Sequence, residues 1–461
     1  MQYKLFLNAA GIAAVAVALC VGCDSGNNGV NPPGNSKPTL SVSASPANGG
    51  SVSRDPSSSS YANGDEVTVT ATAASGYVFT GWSGASTSTD ASITVTMDGN
   101  KTLTAIFKRL YTLTTNTSPS SGGSVSRDPD KTSYADGEQV TLTAVDNDGY
   151  IFTAWGGAST STSASVTITM DSDKTLTANF QSATVAQGET VADKLVWLKR
   201  TAESHNTYLI EVSADENIAP QTLEYTGAIN ITVIIRGVGA NRTIRLSQNG
   251  ILFTVKSNVT FILDNNITLQ GHSKNGGNSL ISVSGGTFIM NNGSVITGND
   301  QSPGGGGGGG GVKVVSGTFT MNGGTISGNS TSGDGGGVYV DGGTFTMTGG
   351  TISGNTAAGG GGVYGIFLGS FNMRGGTITG NAASTYGGGV YYSRGSFTKT
   401  GGIITGYSSD QVSGNAVRDN QGVLSRRGHA VYYASYSGDF RRETTAGTNI
   451  NLSTTRENWE N

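Results

Sequence analysis

The chain predicts an all-β fold: two small β-modules followed by a parallel β-helix. Three observations carry that expectation. A unit of 26 residues recurs in the C-terminal half, where GGTFTMTGGTISGN from Gly342 has close copies SGTFTMNGGTISGN from Ser316, LGSFNMRGGTITGN from Leu368 and GGTFIMNNGSVITGN from Gly285. A longer unit recurs in the N-terminal half at an offset of 73, where GYVFTGWSGASTST from Gly76 matches GYIFTAWGGASTST from Gly149. In both, apolar and polar residues alternate in short runs broken by glycine, which is the period of strands. A fixed repeat of this kind means stacked units, each burying a face against its neighbours. That is how a chain with only 35% hydrophobic residues and 72 glycines can fold, since each rung needs few apolar side chains and several tight corners.

The N-terminus reads as an export signal. Lys4 supplies positive charge, and Ala9 to Leu19 form an apolar run too short to span a bilayer. The ending Leu19-Cys20-Val21-Gly22-Cys23 resembles a bacterial lipobox. That resemblance implies a lipoprotein signal peptide over 1–22 and a lipid anchor on Cys23, hence a membrane-attached chain, outer-membrane and cell-surface in location. Both cysteines lie in this segment, so the mature chain has no pair for a disulfide and no thiolate set for zinc. Residues 23–38 are rich in Gly, Asn, Ser and Pro and read as a flexible tether.

Two modules follow, over 39–108 and 109–181. Strands are expected at Thr39 to Ser45, Glu66 to Ala73, Ala91 to Met97 and Lys101 to Phe107. The paired motifs resemble the divergent bacterial repeat domain of the internalin B-repeat type, which implies a stalk or adhesive spacer. Trp82 and Trp155 stand at equivalent positions. They fit either a module core, the commoner fate of a lone Trp, or a sugar-stacking platform.

The β-helix is expected over 184–461. At its start the period changes: Val191, Leu195, Leu198 and Ala202 share one helical face, and Thr190 with Asp193 forms a capping-box pattern. A short helix here would cover the open end of the solenoid and its unpaired backbone. Less regular rungs follow, with alternations at Ile229 to Ile235, Leu252 to Val255 and Val259 to Leu263. In the regular rung from Gly337, three strands alternate. Val338, Val340, Phe345, Met347 and Ile352 face inward, while Tyr339, Thr346, Thr351 and Ser353 face outward. Asn299, Asn329, Asn355 and Asn381 close successive turns, where Asn tolerates left-handed backbone and its amide can ladder with copies above and below. Asn415 does so in a divergent copy, and residues from Asp410 onward read as last rungs plus a C-terminal cap.

The pairing of GGGVY (Gly335 to Tyr339, Gly387 to Tyr391) with ISGN resembles the repeats of polymorphic outer-membrane proteins. The pectin-lyase-like solenoid is similar in kind. These resemblances imply a right-handed β-helix and a surface location. NNITLQG from Asn265 and GHAVYY from Gly428 resemble segments of repetitive spirochaete-type surface lipoproteins, which carry no assigned activity.

Charge and motifs exclude several functions. With 27 basic against 31 acidic residues and no basic patch, nucleic acid is not an expected partner. In the regular rungs the only acids are Asp300, Asp334 and Asp341, out of phase with the repeat. Hydrolysis of a glycoside needs two carboxylates at a set separation, and no paired-acid motif is present. A site in the irregular rungs would have to assemble from Asp215, Glu216, Glu224 and Asp264, residues that otherwise read as solvated turns. His205, His272 and His429 share no motif. The glycine run Gly304 to Gly311 lacks the Gly-Lys-Ser/Thr ending of a phosphate loop and reads as a flexible loop. No catalytic residue, cofactor or metal is therefore expected. One outward feature could bind: Tyr339, Tyr364 and Tyr391 follow GGGV in consecutive rungs and would stack as an exposed stripe able to contact glycan rings or protein side chains. The expected role is that of a monomeric surface protein adhering to a glycan, matrix or host surface. A carbohydrate-active enzyme and a passive coat are the alternatives.

Overall fold

The computed structural model describes residues 36–301, 308–366, 368–393, 395–407, 410–419, 421–424 and 428–434, with the backbone of 440–442 and 450–451. The expected signal peptide and Cys23 lie outside the described residues.

Residues to Arg109 form one compact unit. Its strands are β1 (Leu40–Ser45), β2 (Gly50–Asp55), β3 (Glu66–Ala73), β4 (Tyr77–Gly84), β5 (Ser92–Thr96) and β6 (Lys101–Tyr111). β1 runs parallel to β6 and β4 antiparallel to it, while β2, β3 and β5 make a second, antiparallel sheet. The alternation expected from sequence is realised: Val67, Val69 and Ala71 of β3 and Leu103, Ala105 and Phe107 of β6 are buried in one core. Trp82 belongs to that core. It is only 4% exposed and its indole N–H donates to Asp90 O at 2.8 Å, which leaves no ring face for a sugar.

The second unit runs from Leu110 onward. It opens with the second module: β7 (Leu113–Ser118), β8 (Gly123–Asp128), β9 (Tyr134–Ala135), β10 (Glu138–Asp146), β11 (Tyr150–Gly157), β12 (Ser165–Met170) and β13 (Lys174–Ser182). Its pairing repeats the first: β7 parallel and β11 antiparallel to β13, with β8, β10 and β12 in a second sheet. Trp155 is again core.

Helix α1 (Val191–Thr201) introduces the solenoid. The Thr190 side chain accepts from Asp193 N at 3.1 Å and the Asp193 carboxylate accepts from Thr190 N at 3.2 Å, completing the capping box. Val191, Leu195 and Leu198 enter the solenoid core against the first rung. Eight rungs follow among the described residues, each contributing a strand to three parallel ladders. A phenylalanine face runs from Thr207–Val212 to Ser396–Lys399, an isoleucine face from Glu216–Ile218 to Ile403–Ile404, and a tyrosine face from Gln221–Leu223 to Val431–Ala434. In the last three rungs a fourth short strand appears at Thr356–Gly359, Ala382–Tyr386 and Ala416–Val417, beyond the three expected. The parallel run ends where Phe440–Arg442 and Ile450–Asn451 pair antiparallel with it.

Like stacks on like throughout the core. Phe288, Phe319, Phe345, Phe371 and Phe397 stack at 4.7–5.1 Å, and Phe261 extends the column at 5.6 Å. Met290, Met321, Met347 and Met373 form a second column, which ends in the buried Lys399, whose ammonium donates to Gly402 O at 2.8 Å.

The asparagine corner departs from the expected backbone. The left-handed residue is the preceding glycine: Gly298, Gly328, Gly354 and Gly380 have φ of 63–69°. The asparagines turn inward and are buried. Asn329 donates from both its backbone N and Nδ2 to Asn355 Oδ1 (3.0 Å each), and Asn355 does the same to Asn381. The ladder runs on to Asn415 and back through Asn299 to Asn275.

The glycine run is corrected in part. Gly309, Gly310 and Gly311 are not loop, since their N–H groups donate to Asp334, Gly335 and Gly336 O at 2.9, 2.9 and 3.1 Å. They form the same corner that Gly335 to Gly337 form one rung later. A Cβ on Gly336 would lie 2.5 Å from Gly361 O, so rungs stack here only without side chains.

The second module is docked rather than a free spacer, which the stalk reading did not foresee. On the outer side of the phenylalanine face, Leu209, Ile234 and Ile262 are apolar and meet Ile151, Ala183 and Val185. Farther along, the same column turns polar at Thr320 and Thr346. Gln181 Nε2 donates to Thr207 Oγ1 at 2.6 Å. Arg236 binds Asp146 of the module through Nη1 and Glu211 of the first rung through Nη2, the latter at 2.9 Å.

Candidate binding surfaces

Two surfaces of the solenoid carry side chains in patterns beyond those the core requires. The first is the tyrosine stack. Parallel register sets Tyr339 on Tyr364, Tyr364 on Tyr391 and Tyr391 on Tyr432. Ring centroids are 5.2, 4.7 and 5.7 Å apart and the planes lie within 13° of parallel. Lys313 Nζ lies 5.2 Å from the Tyr339 centroid at one end. Tyr386 leans on Tyr432 at the other, with centroids 4.6 Å apart.

The stripe is less exposed than its sequence suggested. Tyr339, Tyr364 and Tyr391 are half-buried because the rings lie down on the glycine corner. A Cβ on Gly308 would sit 2.3 Å from Tyr339 Cδ2, so glycine there makes room for the ring. Burial first, then the charges of Asp341 and Asp334, push the Tyr339 phenol up to about 12. Burial also raises Tyr364, whose hydroxyl hydrogen-bonds Asp334. Because the rings cover one another's faces, what they offer a ligand is a strip of ring edges and phenolic oxygens along the solenoid axis.

The second surface was missed by sequence reasoning. It is a cleft of about 540 Å³ between the second module and the solenoid. Its floor is an outer column of the phenylalanine face: Glu211, Arg236, Asp264 and Asn291. Its opposite wall is Asp146, Phe152 and the segment Thr162 to Ser165. The column is hydrogen-bonded in one direction. Thr348 Oγ1 donates to Asn322 Oδ1 at 3.1 Å, Asn322 Nδ2 to Asn291 Oδ1 at 3.3 Å, and Asn291 Nδ2 to Asp264 Oδ1 at 3.3 Å. Burial raises the Asp264 carboxyl, against the Asn291 hydrogen bond and the Arg236 charge, which lower it. The signal for this column was available: its members follow the last inward residue of each strand, as Asp264 follows Leu263 and Asn291 follows Met290.

The carboxylates considered for a catalytic site are not brought together. Asp215 accepts from Thr243 N at 2.9 Å and pairs with Arg245 at 3.2 Å, and these contacts hold its carboxyl below the usual range. Glu216 accepts from Val191 N at 2.8 Å at the start of α1, and Glu224 is exposed. Of the four, only Asp264 lines the cleft. The histidines are likewise apart: His205 meets Asn230, His272 Nδ1 accepts from Lys274 N, and His429 Nδ1 accepts from Val417 N.

No curated protein and no solved structure matches the chain. No helix among the described residues is long and apolar enough to cross a membrane. Residues 40–110 and 111–184 each match the divergent InlB B-repeat domain, so the two modules are a tandem pair of that domain set ahead of a parallel β-solenoid.

Proposed function

We propose that this chain is an exported, lipid-anchored surface protein that adheres through its solenoid to a glycan, matrix or host surface. The observation that carries this reading is the tyrosine stack, which repeats one chemical group over four successive rungs, at Tyr339, Tyr364, Tyr391 and Tyr432. A periodic surface suits a periodic or extended partner, because each added repeat engages the same contact again. The ring edges contribute apolar area and the phenolic oxygens hydrogen bonds, at low cost in side-chain entropy. The lipobox-like Cys23 supplies the attachment.

Two triple variants separate binding from packing. Tyr→Ser at positions 339, 364 and 391 removes the rings and with them the phenolic hydroxyls, whereas Tyr→Phe keeps the stack. Whole protein is applied to immobilised plant and host polysaccharides and to matrix protein. Retention of the native chain, weakened by Tyr→Phe and abolished by Tyr→Ser with the melting transition kept, is the expected result. Retention that both variants leave unchanged argues against the stripe. No retention on any support argues for a passive coat.

A carbohydrate-active role is the second reading, favoured by the cleft that collects Asp146 of the second module with Glu211, Asp264 and Arg236 of the solenoid. Release of new sugar ends in the same incubations would establish it.

A further inference from the structure

We propose that the cleft between the second module and the solenoid binds an amine-bearing (hexosamine) saccharide and discriminates against uronate chains. This rests on the glycan reading above and adds to the tyrosine stack a second surface with its own ligand.

Shape comes first. The cleft is concave, holds about 540 Å³, and adjoins a smaller cavity of about 170 Å³ that shares Phe152, Thr162, Asp264 and Asn291 with it. Junctions between packed domains are common ligand sites. One wall carries an apolar ring, Phe152, beside the hydroxyls of Thr162, Ser163 and Ser165. The floor carries amides, from Asn265, Asn291 and Asn292. A ring face or edge set against amides and hydroxyls is the combination a pyranose requires, with apolar C–H groups on one side and hydroxyls at the rim.

Spacing comes second. The floor column offers one polar side chain per rung, with Asp264 and Asn291 in the cleft, Asn322 in the adjoining cavity and Thr348 beyond both along the solenoid. Rungs lie roughly 4.8 Å apart, close to the length of one sugar ring. An extended saccharide lying along the column therefore meets a hydrogen-bonding group at each residue.

Charge sets the class. Three carboxylates, Asp146, Glu211 and Asp264, face the cleft with one guanidinium, Arg236. Arg236 is engaged by Asp146 and Glu211. Among the described residues Asp264 receives a side-chain donor from Asn291, at 3.3 Å, and a backbone hydrogen bond from Asn265, and its carboxylate has capacity for further donors. An ammonium placed there adds a donor to Asp264 and offsets part of the cleft's excess negative charge, while a uronate carboxylate meets like charge in a partly desolvated cleft.

The test is calorimetric titration of the whole protein with oligomers of glucosamine, of N-acetylglucosamine and of galacturonate. Glucosamine oligomers are expected to bind at least about tenfold more tightly than the other two. Asp264→Asn should erase that preference, and Ser165→Trp, at the exposed rim, should weaken binding by filling the mouth while leaving the ionic contacts of Arg236 intact. The proposal is overturned if no oligomer binds, if the acetylated or galacturonate oligomer binds as well as glucosamine, or if Asp264→Asn keeps the preference. Retention on polysaccharide supports in any of those cases would leave the adhesion reading standing and remove only this site.

Discussion

Asp264 lies where solvent is scarce and the nearest cation is committed to two other carboxylates. Its folded pKa is raised, chiefly by burial, so the folded state holds the proton more tightly than the unfolded chain does. The stability this contributes is complete below the unfolded value of about 4 and is lost as pH rises through the folded value. Asp264→Asn should therefore melt with the native protein in acid and above it at neutral pH. A lower melting temperature at neutral pH would contradict the sign. Stability and the proposed ligand thus make opposite demands on this residue, as functional sites commonly do. Tyr225 makes a related case. Its hydroxyl is buried without a hydrogen-bond partner among the described residues, and burial raises its pKa. Tyr225→Phe removes that orphan and should leave stability unchanged or raise it by about 1 kcal/mol, read from urea unfolding. Neither residue was legible in this role, because desolvation depends on what packs overhead. The fate of Trp82 and Trp155 was easier to anticipate, since a small β-module has few other large side chains to fill its core.

At the scale of one rung, the inward and outward alternation could be read directly, because a strand's period of two leaves no second assignment once Phe345 and Met347 are placed inside. The asparagine ladder was legible for the same reason, from the recurrence of ISGN. Its backbone was not: Gly354 takes the left-handed turn and frees Asn355 to point inward. There Asn355 Nδ2 serves Ile326 O at 2.9 Å and Ser353 O at 3.2 Å, while Oδ1 receives both donors of Asn329. Asn355→Ala strands several of these buried groups at once. It should cost about 3 kcal/mol or more, against about 0.5 kcal/mol or less for an ordinary surface substitution. Phe345→Ala opens the phenylalanine column between two close neighbours and should cost about 3–5 kcal/mol. Urea midpoints with unchanged slopes would report both as losses of stability within one cooperative unit. Tyr432 shows where repeat-reading stops: it lies 41 residues after Tyr391, beyond the regular spacing, yet parallel pairing returns it to the stack.

For the second unit as a whole, the joint between module and solenoid decides whether the cleft exists. Its signal lay in the differences between the two modules rather than in their likeness. Asp146, Ile151, Gln181 and Ala183 stand where the first module has Ala73, Val78, Lys108 and Leu110. All four of these second-module residues make the docking contacts: Asp146 with Arg236, Ile151 and Ala183 with Leu209 and Ile234, and Gln181 with Thr207. Repeat alignment rewards identity and passes over such positions. Asp146→Ala gives the second module the residue that the first carries at that place. It leaves Arg236 with Glu211 alone and keeps the apolar contact, so the joint should weaken while both halves stay folded. In scanning calorimetry of the whole protein, the second module and the solenoid should melt together in the native chain. In Asp146→Ala they should separate into two transitions, with the module's at lower temperature. Arg236→Met should separate them further, because it leaves both Asp146 and Glu211 without their cation. Raised salt should narrow the difference between native and variant, since the ion pairs are only partly buried, at 18–36% side-chain exposure, and remain open to screening. A single unshifted transition in both variants would mean that Ile151, Leu209 and Ile234 hold the joint without help from charge, and that the cleft keeps its shape through apolar contact.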